Sequence, residues 1–333
     1  MRLQRLSRIL SKSRYDRCRQ LFRSPLRSHL ALAGMGKGPF VLEFTNGETL
    51  TCPSYAIVRH MWQFLFSDVM AGVPVSCSDG MVRFPYEGSE LFLRPNKADY
   101  FIFNEIYVDD VYGIQALPES LGTVIDLGGN VGMFASRIAP LAERIVVVEP
   151  VPSNIDVMRR NVQGTGCPEK FEILQMAGGG ESGQTLEIHL SVMPGLHSAF
   201  ADLAHRVGSA GMVRAETISL QDLFGRYGID RCGMLKCDVE GGEYDILLNT
   251  PKEILQRVDR IAMEVHTGPS IPFRVPELFA LLEDCGFNYE FIEGEMPTDG
   301  TEALAATIHG VRSSPTPVTS DARGNPAGMS RGD

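Results

Sequence analysis

The sequence has 333 residues, of which 44% are hydrophobic and 22% are charged, which is typical of a soluble globular protein with one large or two small domains. It has no run of about 18 apolar residues and no apolar signal-peptide core, so we expect neither a membrane span nor a secretory leader. The seven cysteines form no CxxC pair, which argues against a disulfide framework or a zinc site and favours a reducing cytoplasm.

The net charge of −10 is unevenly distributed along the chain. Residues 1–37 contain ten Lys or Arg and one acid, Asp16, so this segment carries +9 and the remainder −19. An acidic body does not favour nucleic acid as a partner. We expect a basic arm over residues 1–39, either solvated or folded as an amphipathic helix that touches an anionic membrane surface. The apolar residues at roughly helical spacing are Leu3, Leu6, Leu10, Leu21 and Phe22.

A small β-rich region is expected over residues 40–95. The stretch FVLEFTNGETLTCP is an apolar run, an Asn-Gly turn and a second run, which predicts a hairpin. The stretch MVRFPYEGSELFLRP predicts another pair of short strands. This region would form an N-terminal cap on the body.

Residues 96–310 alternate strands and helices, which predicts a doubly wound parallel sheet in an α/β domain. The expected strands are TVIDL, RIVVVEP, FEILQMA, GMLKCDVE, RIAMEVH and FNYEFIE, with a hairpin in GQTLEIHLSV. Single helices are expected from an N-cap at Ser153 and over EYDILLNTPKEILQR. Ligands bind such sheets outside the carboxyl ends of the strands. Residues 311–333 are rich in Ser, Pro and Gly, which indicates a disordered tail.

A glycine-rich turn follows the first of these strands. Its residues are Asp126, Gly128, Gly129, Asn130 and Gly132. A dinucleotide-binding turn requires a second bare glycine where Asn130 stands, which weakens an NAD assignment. The acid at the start of the motif suits a ligand that bears an amine or a cation, and S-adenosylmethionine carries both and no phosphate.

An acidic residue ends the second strand. Glu149 comes seventeen residues after Gly132, where a carboxylate can accept hydrogen bonds from both ribose hydroxyls. The alternative is a glycine-rich turn without a ligand, with Glu149 as a surface acid. The combination of Asp126, the glycines and Glu149 favours a nucleoside site.

Four segments together resemble one known family. VIDLGGNVGMFA, VVVEPVPSNIDVMRRNV, MLKCDVEGGEYDIL and IAMEVH are similar to the FkbM-type methyltransferases, and DYFIFNEIYVDDVYG resembles the lead-in segment of that family. The resemblance covers residues 96–310 and implies a Rossmann-like class I methyltransferase fold, S-adenosylmethionine as cofactor, and methylation of hydroxyl oxygens on sugars or polyketide-like natural products. Residues 1–95 lie outside it and could carry substrate selectivity of their own.

Two later strand ends supply candidate catalytic groups. Asp238 and Glu240 follow the fourth strand on the same side, and Glu264 and His266 end the fifth. Sugar hydroxyls are weakly acidic, so a base helps, and a histidine pKa near neutrality suits His266 to that role. Asp238, Glu264 and His266 could instead hold Mg²⁺ or Mn²⁺.

Neighbouring charged residues have more ordinary interpretations. Glu243 and Asp245 suit the first turn of a helix, and Lys236 is expected to pair with a carboxylate near it. His266 alone would also fit a structural histidine.

Three functions remain open at this point. The leading hypothesis is an S-adenosylmethionine-dependent O-methyltransferase for a small-molecule or glycan hydroxyl. An NAD-dependent oxidoreductase or epimerase is the second, and a non-catalytic binding module with a Rossmann-like fold is the third.

Overall fold

The computed structural model describes residues 12–33, 35–191, 197–200, 208–294 and 304–313. The helices in these ranges are α1 (Lys12–Leu21), α2 (Pro25–Leu32), α3 (Tyr55–Leu65), α4 (Lys97–Phe103), α5 (Met133–Ile138), α6 (Pro152–Gly164), α7 (Leu220–Arg226), α8 (Glu243–Leu248), α9 (Lys252–Leu255) and α10 (Val275–Asp284). The first strands are β1 (Phe40–Glu43), β2 (Thr49–Cys52), β3 (Ser76–Ser78), β4 (Met81–Tyr86), β5 (Ser89–Leu93), β6 (Thr123–Leu127), β7 (Arg144–Val148) and β8 (Phe171–Leu174). The others are β9 (Ala177–Gly178), β10 (Thr185–Ser191), β11 (Ser209–Ile218), β12 (Cys232–Cys237), β13 (Arg260–His266), β14 (Phe287–Glu293) and β15 (Ala305–Arg312).

A seven-stranded sheet forms the centre, in the order β14-β15-β13-β12-β6-β7-β8. Its middle strands pair in parallel, and Leu127 is in register with both Val148 and Cys237. Cys237 in turn is in register with Met263. The residues that follow this row therefore emerge together at one edge of the sheet.

Both faces of the sheet are covered, because the central strands are apolar on alternate sides. Val124 and Val147 pack into one hydrophobic cluster with α1–α6, whereas Ile125 and Val148 pack into a second with α7–α10. The predicted Rossmann-like, doubly wound α/β sheet is confirmed. By the same alternation, Asp126, Lys236 and Glu264 lie on the α1–α6 face.

The N-terminal region contains the predicted strand pairs. β1 pairs with β2, and β4 with β5, both antiparallel. Helix α3 was not expected in this β-rich region, and its N-cap Ser54 accepts a hydrogen bond from the Ile57 N–H. The hydrophobic cluster under the α1–α6 face runs from this region into the central sheet, so the two parts share one core.

The expectation of an arm with an exposed apolar face is wrong for two of its residues. Leu21 and Phe22 are 2% and 1% exposed and belong to the protein core, so they are unavailable to a membrane. Leu3, Leu6 and Leu10 lie outside the described residues.

Three local expectations need correction. The single helix expected over EYDILLNTPKEILQR is two helices, α8 and α9, because Pro251 cannot continue the first. Helix α6 begins one residue before the expected cap, with Pro152 at its first position. Strand β15, which was not expected from the sequence, lies between β13 and β14 and is antiparallel to both.

Within the described ranges, none of the helices combines the length and the apolar character needed to cross a bilayer.

Candidate functional site

The glycine-rich turn is shaped first by strand packing. Gly128 has φ +81°, and a Cβ placed there would come within 1.8 Å of the Asp238 carbonyl oxygen. Gly132 has φ +77°, and a Cβ there would meet the Met158 side chain at 2.7 Å. Glycine at these two positions is therefore required by the neighbouring chain itself, before any ligand is considered.

Asp126 is positioned by a buried lysine. It is 0% exposed, and Lys236 Nζ lies 3.3 Å from its Oδ1 and 3.5 Å from Asp238 Oδ2. Lys236 also donates a hydrogen bond of 3.0 Å to the Gly128 carbonyl oxygen. Burial alone lowers the pKa of Lys236, but the carboxylates of Asp126 and Asp238 outweigh it and raise that pKa above its ordinary value. The predicted pairing of Lys236 with a carboxylate is confirmed.

Two cavities open at this edge of the sheet, and two of the predicted cofactor-binding residues line neither of them. Asp126 faces Lys236, and Gly132 lies at the start of α5 against Met158. Asp126 and Gly132 therefore stabilise the conformation of the turn. Gly128, Gly129 and Asn130 do border a cavity.

The first cavity, here called the β7 cavity, opens beyond the end of β7. Its walls come from the turn, from the segment after β7 and from the small sheet β10-β11-β9. Residues that define it include Glu149, Asn154, Ala177, Leu186, Ile188 and His197. A wall of apolar residues with a few polar groups is typical of a small-molecule site.

Glu149 lies in this cavity as expected for a ribose-binding acid. Its Oε2 accepts a hydrogen bond from the Asn130 N–H at 2.8 Å, and its Oε1 accepts from the Val151 N–H at 2.9 Å and from Asn154 Nδ2 at 3.2 Å. Burial outweighs these hydrogen bonds and raises the pKa of Glu149 to about 7. The carboxylate is thus fixed in place and keeps further acceptor capacity for a ligand.

The second cavity, here called the β13 cavity, lies on the other side of the turn. One wall is apolar and includes Ile102, Tyr112, Met133 and Phe134. The other wall carries the predicted catalytic and metal-binding residues Asp238, Glu240, Glu264 and His266. The two cavities share Gly128, Asn130, Asp238 and Glu240.

Asp238 sits between the two cavities. Tyr112 donates a hydrogen bond of 3.0 Å from its hydroxyl to Asp238 Oδ2, and Lys236 approaches the same oxygen. Two donors therefore fix this carboxylate where the cavities meet.

His266 is surrounded by three carboxylates. Its Nδ1 lies 2.8 Å from Glu243 Oε1, and its Nε2 lies 3.3 Å from Glu264 Oε2 and 3.5 Å from Glu240 Oε2. Burial alone lowers the pKa of His266, but Glu243 and Glu240 outweigh it and raise that pKa well above its ordinary value. The expectation of a pKa near neutrality is therefore wrong, because a charged imidazolium is stabilised here.

Asp238, Glu264 and His266 satisfy the geometric requirement for a shared cation. One potential ligand atom from each lies within 4.8 Å of the others. Carboxylate oxygens with one imidazole nitrogen suit Mg²⁺ or Mn²⁺. Glu243 holds the opposite nitrogen of the ring, as carboxylates commonly do behind a metal-binding histidine.

Sequence reasoning missed several residues of the site. Glu105 borders the β13 cavity from a π-helical turn at Asn104–Val108, and burial together with Glu264 and Asp238 raises its pKa to about 8. Tyr112 is 126 residues away from its partner Asp238 in sequence. Both lie in the lead-in segment DYFIFNEIYVDDVYG, which indicated a resemblance but gave no roles.

The region of this chain that matches known proteins contains Glu149, Asp238 and His266. Residues 126–289 match the family model described as the methyltransferase FkbM domain. A methyltransferase, sdnD, from Sordaria araneosa is 27% identical over 62% of this chain and 88% of its own length.

Two further relatives are named for their acceptors. The 31-O-demethyl-FK506 methyltransferase FkbM from Streptomyces tacrolimicus is 25% identical over 56% of this chain and 81% of its own. The hexuronic acid methyltransferase AglP from Haloferax volcanii is 26% identical over 43% of this chain and 55% of its own.

Proposed function

This chain belongs to the FkbM methyltransferase family, and on that premise we propose that it transfers the methyl group of S-adenosylmethionine to a hydroxyl oxygen. The observation that carries the proposal is the pair of cavities that meet at Asp238. One cavity contains the ribose-type acid Glu149, and the other contains a cluster of proton-accepting groups. A donor and an acceptor in these cavities would face each other across Gly128 and Asn130.

The β7 cavity fits S-adenosylmethionine by its acceptors. Glu149 offers a carboxylate for the ribose hydroxyls, and the buried Asn130 Oδ1 has no hydrogen-bond partner within the described residues. The ligand's ammonium group could donate to such an oxygen, and the acidic wall at Asp238 and Glu240 favours its positive charge. An NAD diphosphate would meet the same acidic wall unfavourably.

Proton removal is assigned to Asp238. Bound S-adenosylmethionine would supply the methyl group to the acceptor oxygen with its thioether as the leaving group, and Asp238 would accept the hydroxyl proton on a carboxylate oxygen. Tyr112 and Lys236 hold Asp238 at the junction of the cavities, which reduces the motion needed for this step. Glu240, which lines both cavities, is the neighbouring proton acceptor.

His266 acts by position and charge in this proposal. As an imidazolium it lowers the net negative charge beside the acceptor, and Glu243 fixes its ring. If a divalent cation is bound, it would replace the Nε2 proton of His266, so that Asp238, Glu264 and a neutral His266 would hold it, and it would make an acceptor hydroxyl more acidic. Loss of turnover with a chelator, restored by Mg²⁺ or Mn²⁺, supports the cation; full turnover after chelation and dialysis contradicts it.

We propose a sugar, glycan or natural-product hydroxyl as the acceptor. The names of two relatives, one for hexuronic acid and one for 31-O-demethyl-FK506, support this range. The β13 cavity joins an apolar wall to a charged wall, which suits a compound with one apolar side and one hydroxylated side.

A peripheral membrane contact and a cytoplasmic setting are also proposed. Leu26 and Met35 are large exposed apolar residues in one groove with the basic residues Arg27 and Lys37. Wild type should bind anionic vesicles in a salt-sensitive way. Wild type is compared with a variant that lacks residues 1–11. The deletion stops there because Leu21 and Phe22 belong to the core. Equal binding of both forms would restrict the contact to the groove, and no binding by either would contradict it.

The decisive experiment is calorimetric titration of the full chain with S-adenosylmethionine and NAD in parallel, followed by a screen of hydroxylated acceptors. We expect binding of S-adenosylmethionine, no binding of NAD, and a methyl ether as product. Binding of NAD would favour the oxidoreductase. Binding of S-adenosylmethionine without transfer to any acceptor would favour the non-catalytic module.

A further inference from the structure

His197 lies in the β7 cavity and was not singled out by the sequence. It shares this cavity with Ala177, Leu186 and Ile188, which are apolar residues of the cavity wall. The residue after it is fixed to β10, since the His189 and Ser198 backbones exchange hydrogen bonds of 2.7 and 3.1 Å. The imidazole is therefore held at a defined place in the cavity wall.

The hydrogen bond to one ring nitrogen determines what the other can do. The Ser191 backbone N–H donates to His197 Nδ1 at 3.0 Å, so Nδ1 is an acceptor. In a neutral imidazole the proton must then be on Nε2, which becomes a donor. Burial, with a smaller contribution from the nearby Arg94 guanidinium, lowers the pKa of His197 to about 4, so the ring is neutral near pH 7.

The wall of the cavity combines two kinds of chemistry. Glu149 provides the acceptors that ribose hydroxyls need, whereas Ala177, Leu186 and Ile188 provide an apolar surface that suits a planar heterocycle. A heterocycle in this place exposes ring nitrogens at its edge, and those nitrogens require a donor.

We propose that His197 Nε2–H donates a hydrogen bond to a ring nitrogen of the adenine, which makes His197 a specificity residue for the cofactor. This inference rests on the proposed use of S-adenosylmethionine and adds the base-reading contact to it. His197 would thereby distinguish an adenosyl ligand from one that lacks the matching acceptor nitrogen.

The test separates the two functions of the ring by two substitutions. His197→Gln can place an amide N–H near the former Nε2 position, whereas His197→Asn can place an oxygen near the former Nδ1 and accept from Ser191. Binding of S-adenosylhomocysteine is measured by calorimetry for both, for His197→Met, and for His60→Met on α3 as a control away from the cavity. We expect His197→Met and His197→Asn to weaken binding about 3- to 10-fold, with His197→Gln and the control near wild type.

The ligand provides the second half of the test. Analogues of S-adenosylhomocysteine in which N1, N3 or N7 of adenine is replaced by carbon are titrated against wild type and His197→Met. One analogue should bind wild type more weakly by the same factor and be insensitive to His197→Met. Wild-type affinity of His197→Asn, or sensitivity of all three analogues to His197→Met, would overturn the inference. Failure of wild type to bind S-adenosylhomocysteine would instead contradict the proposed function.

Discussion

Lys236 and Asp126 are register partners on the adjacent parallel strands β12 and β6, and their charged groups approach to 3.3 Å in the core. The same ammonium group also contacts Asp238 and the Gly128 carbonyl oxygen. The glycine-rich turn and the end of β12 are thus tied together by one buried cation.

Removing that cation should destabilise the fold. Lys236→Met leaves the Asp126 carboxylate buried without its partner, which typically costs about 3–5 kcal/mol. Urea unfolding of Lys236→Met and of the double variant with Asp126→Leu measures the effect. We expect the double variant to recover part of the loss, and a single variant within about 0.5 kcal/mol of wild type would show that the pair is unimportant for stability.

Glu149 should contribute directly to cofactor affinity. Glu149→Ala removes the acceptors proposed for the ribose hydroxyls, so the free energy of S-adenosylmethionine binding should weaken by about 1–3 kcal/mol. Glu143→Ala, an exposed acid before the other end of β7, is the control. Calorimetry on folded protein decides the matter, and unchanged affinity in Glu149→Ala would remove this residue from the site.

The raised pKa of Glu149 also predicts a pH dependence of stability in the ligand-free protein. Its folded-state pKa of about 7 exceeds the ordinary value of 4.5, so its contribution is present below 4.5 and is lost as the pH rises through 7. Relative to Glu149→Gln, wild type should lose up to about 3 kcal/mol of unfolding free energy over that interval. Denaturant unfolding at several pH values measures the difference, and parallel curves for the two proteins would contradict the assignment.

A side chain at Gly128 should affect the fold before it affects the ligand. Because its Cβ would overlap the Asp238 carbonyl oxygen and its φ is positive, Gly128→Ala is expected to lower stability by about 2–4 kcal/mol. Gly183→Ala is a useful comparison, since that glycine also has positive φ but open space around it. Thermal unfolding of the two variants separates backbone strain from steric overlap, and equal losses would exclude the overlap.

Asp238 should govern the chemical step. Loss of a general base typically lowers the rate by about 10²–10⁴, so Asp238→Asn should reduce turnover by that factor with nearly unchanged cofactor affinity. Tyr112→Phe removes only the hydrogen bond to Asp238 and should give a smaller loss. Single-turnover kinetics with the acceptor from the screen provides the measurement. Wild-type turnover in Asp238→Asn would leave proton removal to Glu240 or to solvent.

His266→Gln offers a contrast with Asp238→Asn. It removes positive charge from the cluster of Glu240, Glu243 and Glu264 without removing the proposed base. A loss of turnover that exceeds the loss in Asp238→Asn would make His266 the more important group.

The residues at the carboxyl edge of the sheet could be predicted from the sequence, whereas the contacts that other segments make with them could not. Strands β6, β12 and β13 were predictable because each is a short apolar run with an acid or a histidine at its end or next to it, and parallel strands place those ends together. Glu149 was predictable by the same reasoning.

Contacts between distant segments gave no local signal. Tyr112 reaches Asp238 only because the lead-in segment packs over α5, and His197 joins the β7 cavity only because the chain returns beside β10. The pKa of His266 was mispredicted because it depends on Glu243, which a local pattern assigns to a helix end. A local sequence pattern depends on a residue's neighbours in sequence, whereas the pKa of a buried residue depends on its neighbours in space.

Strand β15 has a consequence for how the chain is made. β14 pairs only with β15 in the central sheet, and β15 supplies the outer neighbour of β13. During synthesis, the outer edge of β13 therefore stays unpaired until residue 312 has left the ribosome. The strands on its other side, β12, β6, β7 and β8, have all been synthesised before then. Nascent chains that stall before residue 305 would leave β14 without its partner and the outer edge of β13 unpaired, and such edges are prone to aggregation.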